Sequence, residues 1–115
     1  MAYMLLIVEP RGQRSTRARQ EGEDLYQRML DYGRSLQARS LLLGGDSLRE
    51  PAARLSIRGG RQSVVDGPFT ESKEFVGGFF LLDCATREQA LSLAAECPAA
   101  AWATIEVREV GPCYE

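Results

Sequence analysis

The segment Tyr3 to Val8 constrains this chain more than any other. Tyr3, Leu5 and Ile7 fall on one face of a strand, and Met4, Leu6 and Val8 fall on the other. A strand that is apolar on both sides belongs in a sheet covered on both sides. The polar segment Glu9 to Ser15, with Pro10 and Gly12, reads as a loop.

A helix is predicted over Thr16 to Ala38, because Leu25, Met29, Tyr32 and Leu36 recur on one helical face. Glu21, Glu23 and Asp24 lie early and Arg34 and Arg39 late, which suits the helix dipole. Leu41-Leu42-Leu43 reads as a short buried strand ended by Gly44-Gly45. Leu55 to Arg58 and Gln62 to Val65 form a hairpin across Gly59-Gly60, two residues that tolerate positive φ. Gly78 to Asp83 is a central strand. Thr86 and Gln89 form a capping box that opens a second helix, and Pro98 follows its end at Cys97. Ala103 to Glu109 is a last strand, with Ala103, Ile105 and Val107 inward. The order β-α-β-hairpin-β-α-β predicts an α+β ferredoxin-like sandwich with helices on one side of a largely antiparallel sheet.

Two helices cover one face of such a sheet. The other face carries three large residues from the first strand and two more from Phe79-Phe80-Leu81-Leu82 in either register. Full burial stabilises by ~1.5–3 kcal/mol each, so about 10 kcal/mol rests on a cover. The simplest cover is a second copy, sheet against sheet, which predicts a homodimer. The rival cover is the chain's own hairpin and C-terminal tail.

Composition excludes several chemistries. The chain has no histidine, so Ser-His-Asp and Cys-His catalysis and Cys-His zinc sites are outside its reach. Cys84, Cys97 and Cys113 match no metal or redox spacing and read as free, mostly structural thiols of a reducing compartment. A net charge of −2 and the lack of a basic stripe argue against direct nucleic-acid binding. The apolar run Met4 to Val8 is too short for a signal core or a membrane span, so a cytoplasmic location is expected. No cofactor and no metal are expected.

The richest stretch is Val65-Asp66-Gly67-Pro68-Phe69-Thr70-Glu71-Ser72-Lys73-Glu74, which holds the only lysine, with acids at Asp66, Glu71, Glu74 and Asp83 around it. Met4-Leu5-Leu6-Ile7, Gly44-Gly45-Asp46-Ser47-Leu48, Gly77-Gly78-Phe79-Phe80, Pro98-Ala99-Ala100 and Ile105-Glu106-Val107-Arg108 accompany it. Together these resemble the DGPF-domain proteins of the YCII-related superfamily, bacterial proteins of unknown function. The resemblance spans nearly the whole chain. It implies a dimeric α+β barrel with an inserted β-hairpin, a fold that superfamily shares with small oxygenases and muconolactone isomerases. The superfamily's YCII-like branch is thought to use a His-Asp pair, which this chain lacks the histidine to supply. The resemblance also implies association with sigma factors, beside which such proteins are often encoded.

Within the signature, Gly67 and Pro68 suit a sharp bend, and Asp66 suits an Asx-turn onto a backbone N–H two residues on. Phe69 reads as a plug anchoring the loop in the core, or else as a pocket wall. Glu71, Lys73 and Glu74 read as an ion-pair cluster, with acid-base or anion-binding roles as the alternatives. Asp66, Glu71 and Lys73 are thus the catalytic candidates. Asp66, Gly67, Pro68, Phe69, Glu71, Lys73, Tyr3 and Asp46 are the ligand-binding candidates. Tyr3, Tyr32, Trp102 and Asp46 are expected to complete a cleft between the helix and the loop. Three functions stay open: a dimeric small-molecule binding or sensing protein with a regulatory role, a cofactor-independent isomerase or lyase, and an interaction module for a sigma factor.

Overall fold

The structure, a computed structural model, describes residues 2–69 and 71–115. Thr70 of the signature lies outside the described residues. Strand β1 (Ala2–Pro10) leads through a short 3-10 turn (Arg14–Thr16) into helix α1 (Arg19–Ala38). Strand β2 (Leu42–Ser47), the hairpin β3 (Ala53–Arg58) and β4 (Arg61–Asp66), strand β5 (Glu74–Asp83), helix α2 (Arg87–Ala95) and strand β6 (Thr104–Glu109) follow. The predicted order of elements is the observed one. β2, β5, β1 and β6 form an open four-stranded sheet in that order, and every pairing is antiparallel. The fold is α+β, with a sheet that does not close into a barrel.

Alternation along β1 sets the layers. Tyr3, Leu5 and Ile7 are buried beneath the helices, whereas Met4, Leu6 and Val8 stay half-exposed. Register carries the division across the sheet. Leu5 opposes Phe80 and Val107, so these share the helix side, while Leu6 opposes Phe79 and Glu106 on the far side. The core joins Leu5, Leu36 and Leu82, all fully buried, to Tyr32, Cys97 and the inner face of α2.

α1 buries the predicted face unevenly. Tyr32 and Leu36 are buried, but Leu25 and Met29 are only half-buried. Tyr32 meets Phe80 edge-on at 5.2 Å and donates its hydroxyl to the Leu93 carbonyl at 2.6 Å. The late arginines do not lie in the last turn of α1. Arg34 pairs with Asp31, and Arg39, at the cap, pairs with Glu96. The capping box of α2 forms as predicted: Thr86 accepts from the Gln89 N–H at 3.1 Å.

Burial pushes the Tyr32 phenol far above its ordinary range, with the neighbouring Cys97 and Glu96 adding to the rise. A raised folded-state value favours the neutral phenol. The stability it contributes is fully present below the unfolded value of about 10 and is lost as pH climbs above it. Tyr32→Phe is expected to cost about 1–2 kcal/mol at pH 7, because the Leu93 carbonyl loses its donor. It should also flatten the fall in stability above about pH 10. Urea unfolding at pH 7 and pH 11 checks both effects; an equally steep alkaline fall in the variant would count against this assignment.

Several boundaries differ from the sequence reading, and β5 begins at Glu74, four residues before the predicted Gly78. β1 runs on through Glu9 and Pro10, because Glu9 continues the inward alternation and is itself buried. The predicted start of α1 at Thr16 belongs to the 3-10 turn instead. β2 runs through Gly44 and Gly45 to Ser47, and Leu43 bulges out of register, 57% exposed.

The hairpin stands off the main sheet. Gly59 and Gly60 take φ of +56° and +77° as its turn requires. Every residue of β4 is exposed, as is all of β3 except Ser56. The tail 110–115 is exposed throughout. The radius of gyration is 16.0 Å, against about 13 Å for a compact chain of this length. Neither the hairpin nor the tail buries its own apolar surface on the far face of the sheet.

Candidate functional site

A cleft of about 530 Å³ opens between the first half of α1 and the helix side of the sheet. Its walls are Leu25, Tyr26, Met29 and Leu30 from α1, Ile7 and Phe80 from the sheet, and Trp102 after the second 3-10 turn (Pro98–Ala101). Gly45, Gly77 and Gly78 line it where a strand would ordinarily carry side chains. Tyr26 is 51% exposed and Leu30 36%, so the apolar wall of α1 is open to solvent.

One end of the cleft is built around a buried carboxylate. Glu9 is only 4% exposed, and Arg14 grips it with both sides of its guanidinium. Arg14 Nε donates to Glu9 Oε1 at 3.0 Å and Nη2 to Oε2 at 2.6 Å. The same guanidinium donates to the carbonyls of Leu48 at 2.7 Å and Gly77 at 3.1 Å, and lies 5.0 Å from the Phe75 ring centre. Bidentate geometry and satisfied donors let an ion pair persist at a buried site. The strands arrange it through a bulge: Ile7 opposes Gly78 and Val8 opposes Val76, which leaves Gly77 as the extra residue of β5. A Cβ on Gly77 would overlap the Glu9 carboxylate and approach Arg14 Nη2 to 2.7 Å. Glycine there makes room for the pair.

Trp102 is held from two directions. Arg28 lies 5.4 Å from its ring centre, and Gln13 Nε2 donates to its carbonyl at 3.0 Å. Asp46 borders the cleft from β2, where its Oδ1 accepts from the Ser47 N–H at 2.9 Å. Trp102 and Asp46 both border the helix-sheet cleft, but Asp46, opposite Phe79, does so from the far-face register of the sheet. Tyr3 and Tyr32 are buried core residues and do not line it.

The signature loop lies elsewhere. Asp66, Pro68, Glu71, Lys73 and Glu74 are exposed, and Gly67 and Phe69 are half-buried. The Gly67-Pro68 peptide bond is cis. The Asx-turn has no donor at the expected position, since Pro68 has no N–H, and the Gly67 N–H goes to the Ala52 carbonyl at 2.8 Å. Phe69 is not a plug in the main core. Arg54 lies 3.6 Å from its ring centre and also pairs with Glu71 at 3.4 Å. The physical reason is the hairpin: a loop at the base of an arm that stands off the sheet packs against that arm. Arg11 ties the loop to the body through the carbonyls of Ser72 and Lys73. Lys73 and Glu71 face solvent rather than the cleft.

Sequence reasoning missed Glu9, Arg14 and the paired glycines. Glu9 was legible as the next inward position after Tyr3, Leu5 and Ile7. Gly77-Gly78 was legible as a gap in an otherwise bulky strand. Arg14 carried no such signal, because its partner is fixed by the path of the turn.

Among the described residues, no cluster of His, Cys, Asp and Glu is arranged to hold a metal ion, and no helix is long and apolar enough to cross a membrane. Burial pushes the Cys97 thiol up, which keeps it protonated inside the core.

An uncharacterized protein of Rhizobium meliloti (strain 1021) is 49% identical over 43 residues, 37% of this chain and 35% of that protein. The model of the YCII-related domain matches residues 1–113, and the chain belongs to that family.

Proposed function

We propose that this chain is a homodimeric small-molecule binding or sensing protein of the cytoplasm, with the α1–sheet cleft as its ligand site. The observation that carries the reading is the cleft itself: apolar walls, a glycine floor and one rigid charged pair, in a volume suited to a metabolite. Strand order β2-β5-β1-β6 with both helices on one face supports a ferredoxin-like half of a dimeric α+β barrel. Exposed surface supports the second copy. The chain exposes 7957 Å², against roughly 6,200 Å² for a folded monomer of this mass. That excess is about twice the ~800 Å² each partner buries in a standard interface. The half-exposed face of Met4, Leu6, Val8, Phe79 and Leu81, with Val76 at 40% exposure, forms its apolar centre. Glu106 and Arg108 supply a polar rim on β6. Leu55, Ile57 and Val64 of the hairpin, each more than half exposed, extend the surface available to the partner.

The isomerase or lyase reading would require Asp66, Glu71 or Lys73 to reach a substrate. Their exposure outside the cleft gives that reading no geometric support.

Thermal-shift screening against a metabolite library tests ligand binding. A ligand at ten times its Kd should add ~1.4 kcal/mol, or about 5 °C in Tm. Leu30→Trp, which fills the open wall of the cleft, should remove the shift. Silence across a broad library, or shifts unchanged in Leu30→Trp, would overturn the assignment.

A further inference from the structure

We infer that the cleft takes an amphipathic organic anion, an aromatic or short-acyl body carrying a single negatively charged head. This deepens the reading of the cleft as the ligand site and rests on it. The chain as a whole is acidic, with 16 Asp and Glu against 14 Lys and Arg. The cleft reverses that balance, for Arg14, Arg17, Arg34 and Arg49 all line it, against Glu9 and Asp46. These charges are not equivalent. Arg14 and Glu9 neutralise each other, and Arg14 spends its remaining contacts on the carbonyls of Leu48 and Gly77. Arg34 is paired with Asp31. Asp46 folds onto the Ser47 N–H and, opposite Phe79, belongs to the far-face register of the sheet.

Arg17 and Arg49 are left. Neither side chain has an ion-pair or hydrogen-bond partner among the described residues, and Arg17 is half-buried. Two uncompensated guanidinium groups beside an apolar cavity favour an anion and disfavour a cation. The apolar walls select a hydrophobic body, and the glycine floor gives it depth.

Trp102 reads out the test, because it is the chain's single tryptophan and lines the cleft. Its fluorescence would be titrated in the full chain with 4-phenylbutyrate, 4-phenylbutanol and 4-phenylbutylamine. The acid is expected to saturate the signal with a Kd about tenfold below that of the alcohol, with the amine weaker still. Raising salt should narrow the gap. In the Arg17→Ala, Arg49→Ala double variant, acid and alcohol should come within about twofold of each other, while alcohol binding persists. If the alcohol or amine binds the wild type as tightly as the acid, the anion preference is wrong and the cleft reading survives. If the double variant keeps the full preference, the two arginines are not its source and the inference fails. If none of the three gives a saturable change, the inference and the ligand site on which it rests both fall.

Discussion

Gly77→Ala is expected to destabilise the protein by about 3 kcal/mol and to abolish binding in the cleft. The added methyl would sit where the Glu9 carboxylate now lies, at the bulge of β5, where Gly77 has no register partner on β1 and its carbonyl accepts from the Leu48 N–H. A flexible side chain could step aside cheaply, but Glu9 is buried and held at two oxygens. Moving it separates a buried ion pair, a change that costs ~3–5 kcal/mol when one charge is left uncompensated. The Arg14 side chain is 33% exposed, so water softens the loss toward the lower end. Gly111→Ala is the control: a Cβ there meets open space, and the change should stay within about 0.5 kcal/mol. Urea unfolding of the two variants measures the difference. A Gly77→Ala loss below about 1 kcal/mol would show that the pair relaxes freely and does not shape the cleft. Adding Glu9→Ala to Gly77→Ala should cost less than the sum of the single changes, since the clash and the carboxylate disappear together.

Leu6→Glu should convert the proposed dimer to monomer at micromolar concentration while leaving the monomer folded. Leu6 sits at the centre of the sheet's far face, opposite Phe79 on one side and Glu106 on the other. It is half-exposed within the single chain, so a carboxylate there keeps access to water until a second copy arrives. Two-fold symmetry would then bury the substitution twice. An unpaired buried carboxylate costs several kcal/mol, and a total of at least ~4 kcal/mol weakens dimerisation about a thousandfold. Sedimentation velocity across a concentration series reads the change, with far-UV circular dichroism confirming the fold. A wild-type chain that sediments as a monomer at these concentrations would remove the dimer from the proposal. A Leu6→Glu dimer would place its interface elsewhere.

The elements were largely legible because their signals are local. The two-sided alternation of Tyr3 to Val8, the Leu25-Met29-Tyr32-Leu36 face, the Gly59-Gly60 turn and the Thr86–Gln89 cap each lie within a few residues of one another. The cleft was less legible because it is assembled from distant parts: Glu9 from β1, Arg14 from the following turn, Gly77 from β5 and Trp102 near the end. The signature run drew attention through its density of turn-formers and charge. Its composition fits a turn that closes a projecting arm, where Gly67 binds Ala52 and Arg54 covers Phe69. Charge density in a sequence does not distinguish a solvated loop from a pocket, whereas a lone acid in an apolar column does.

The uneven anchoring of α1 has a mechanical consequence. Tyr32 and Leu36 fasten the second half of the helix to the core, while Leu25, Tyr26 and Leu30 only overhang the cleft. The opening turns are held less by packing than by tethers near their start, Arg14 on Glu9, Gln13 on the Trp102 carbonyl and Arg28 over the Trp102 ring. One rim of the cleft is thus clasped by a few polar links while the opposite end of the same helix is embedded in grease.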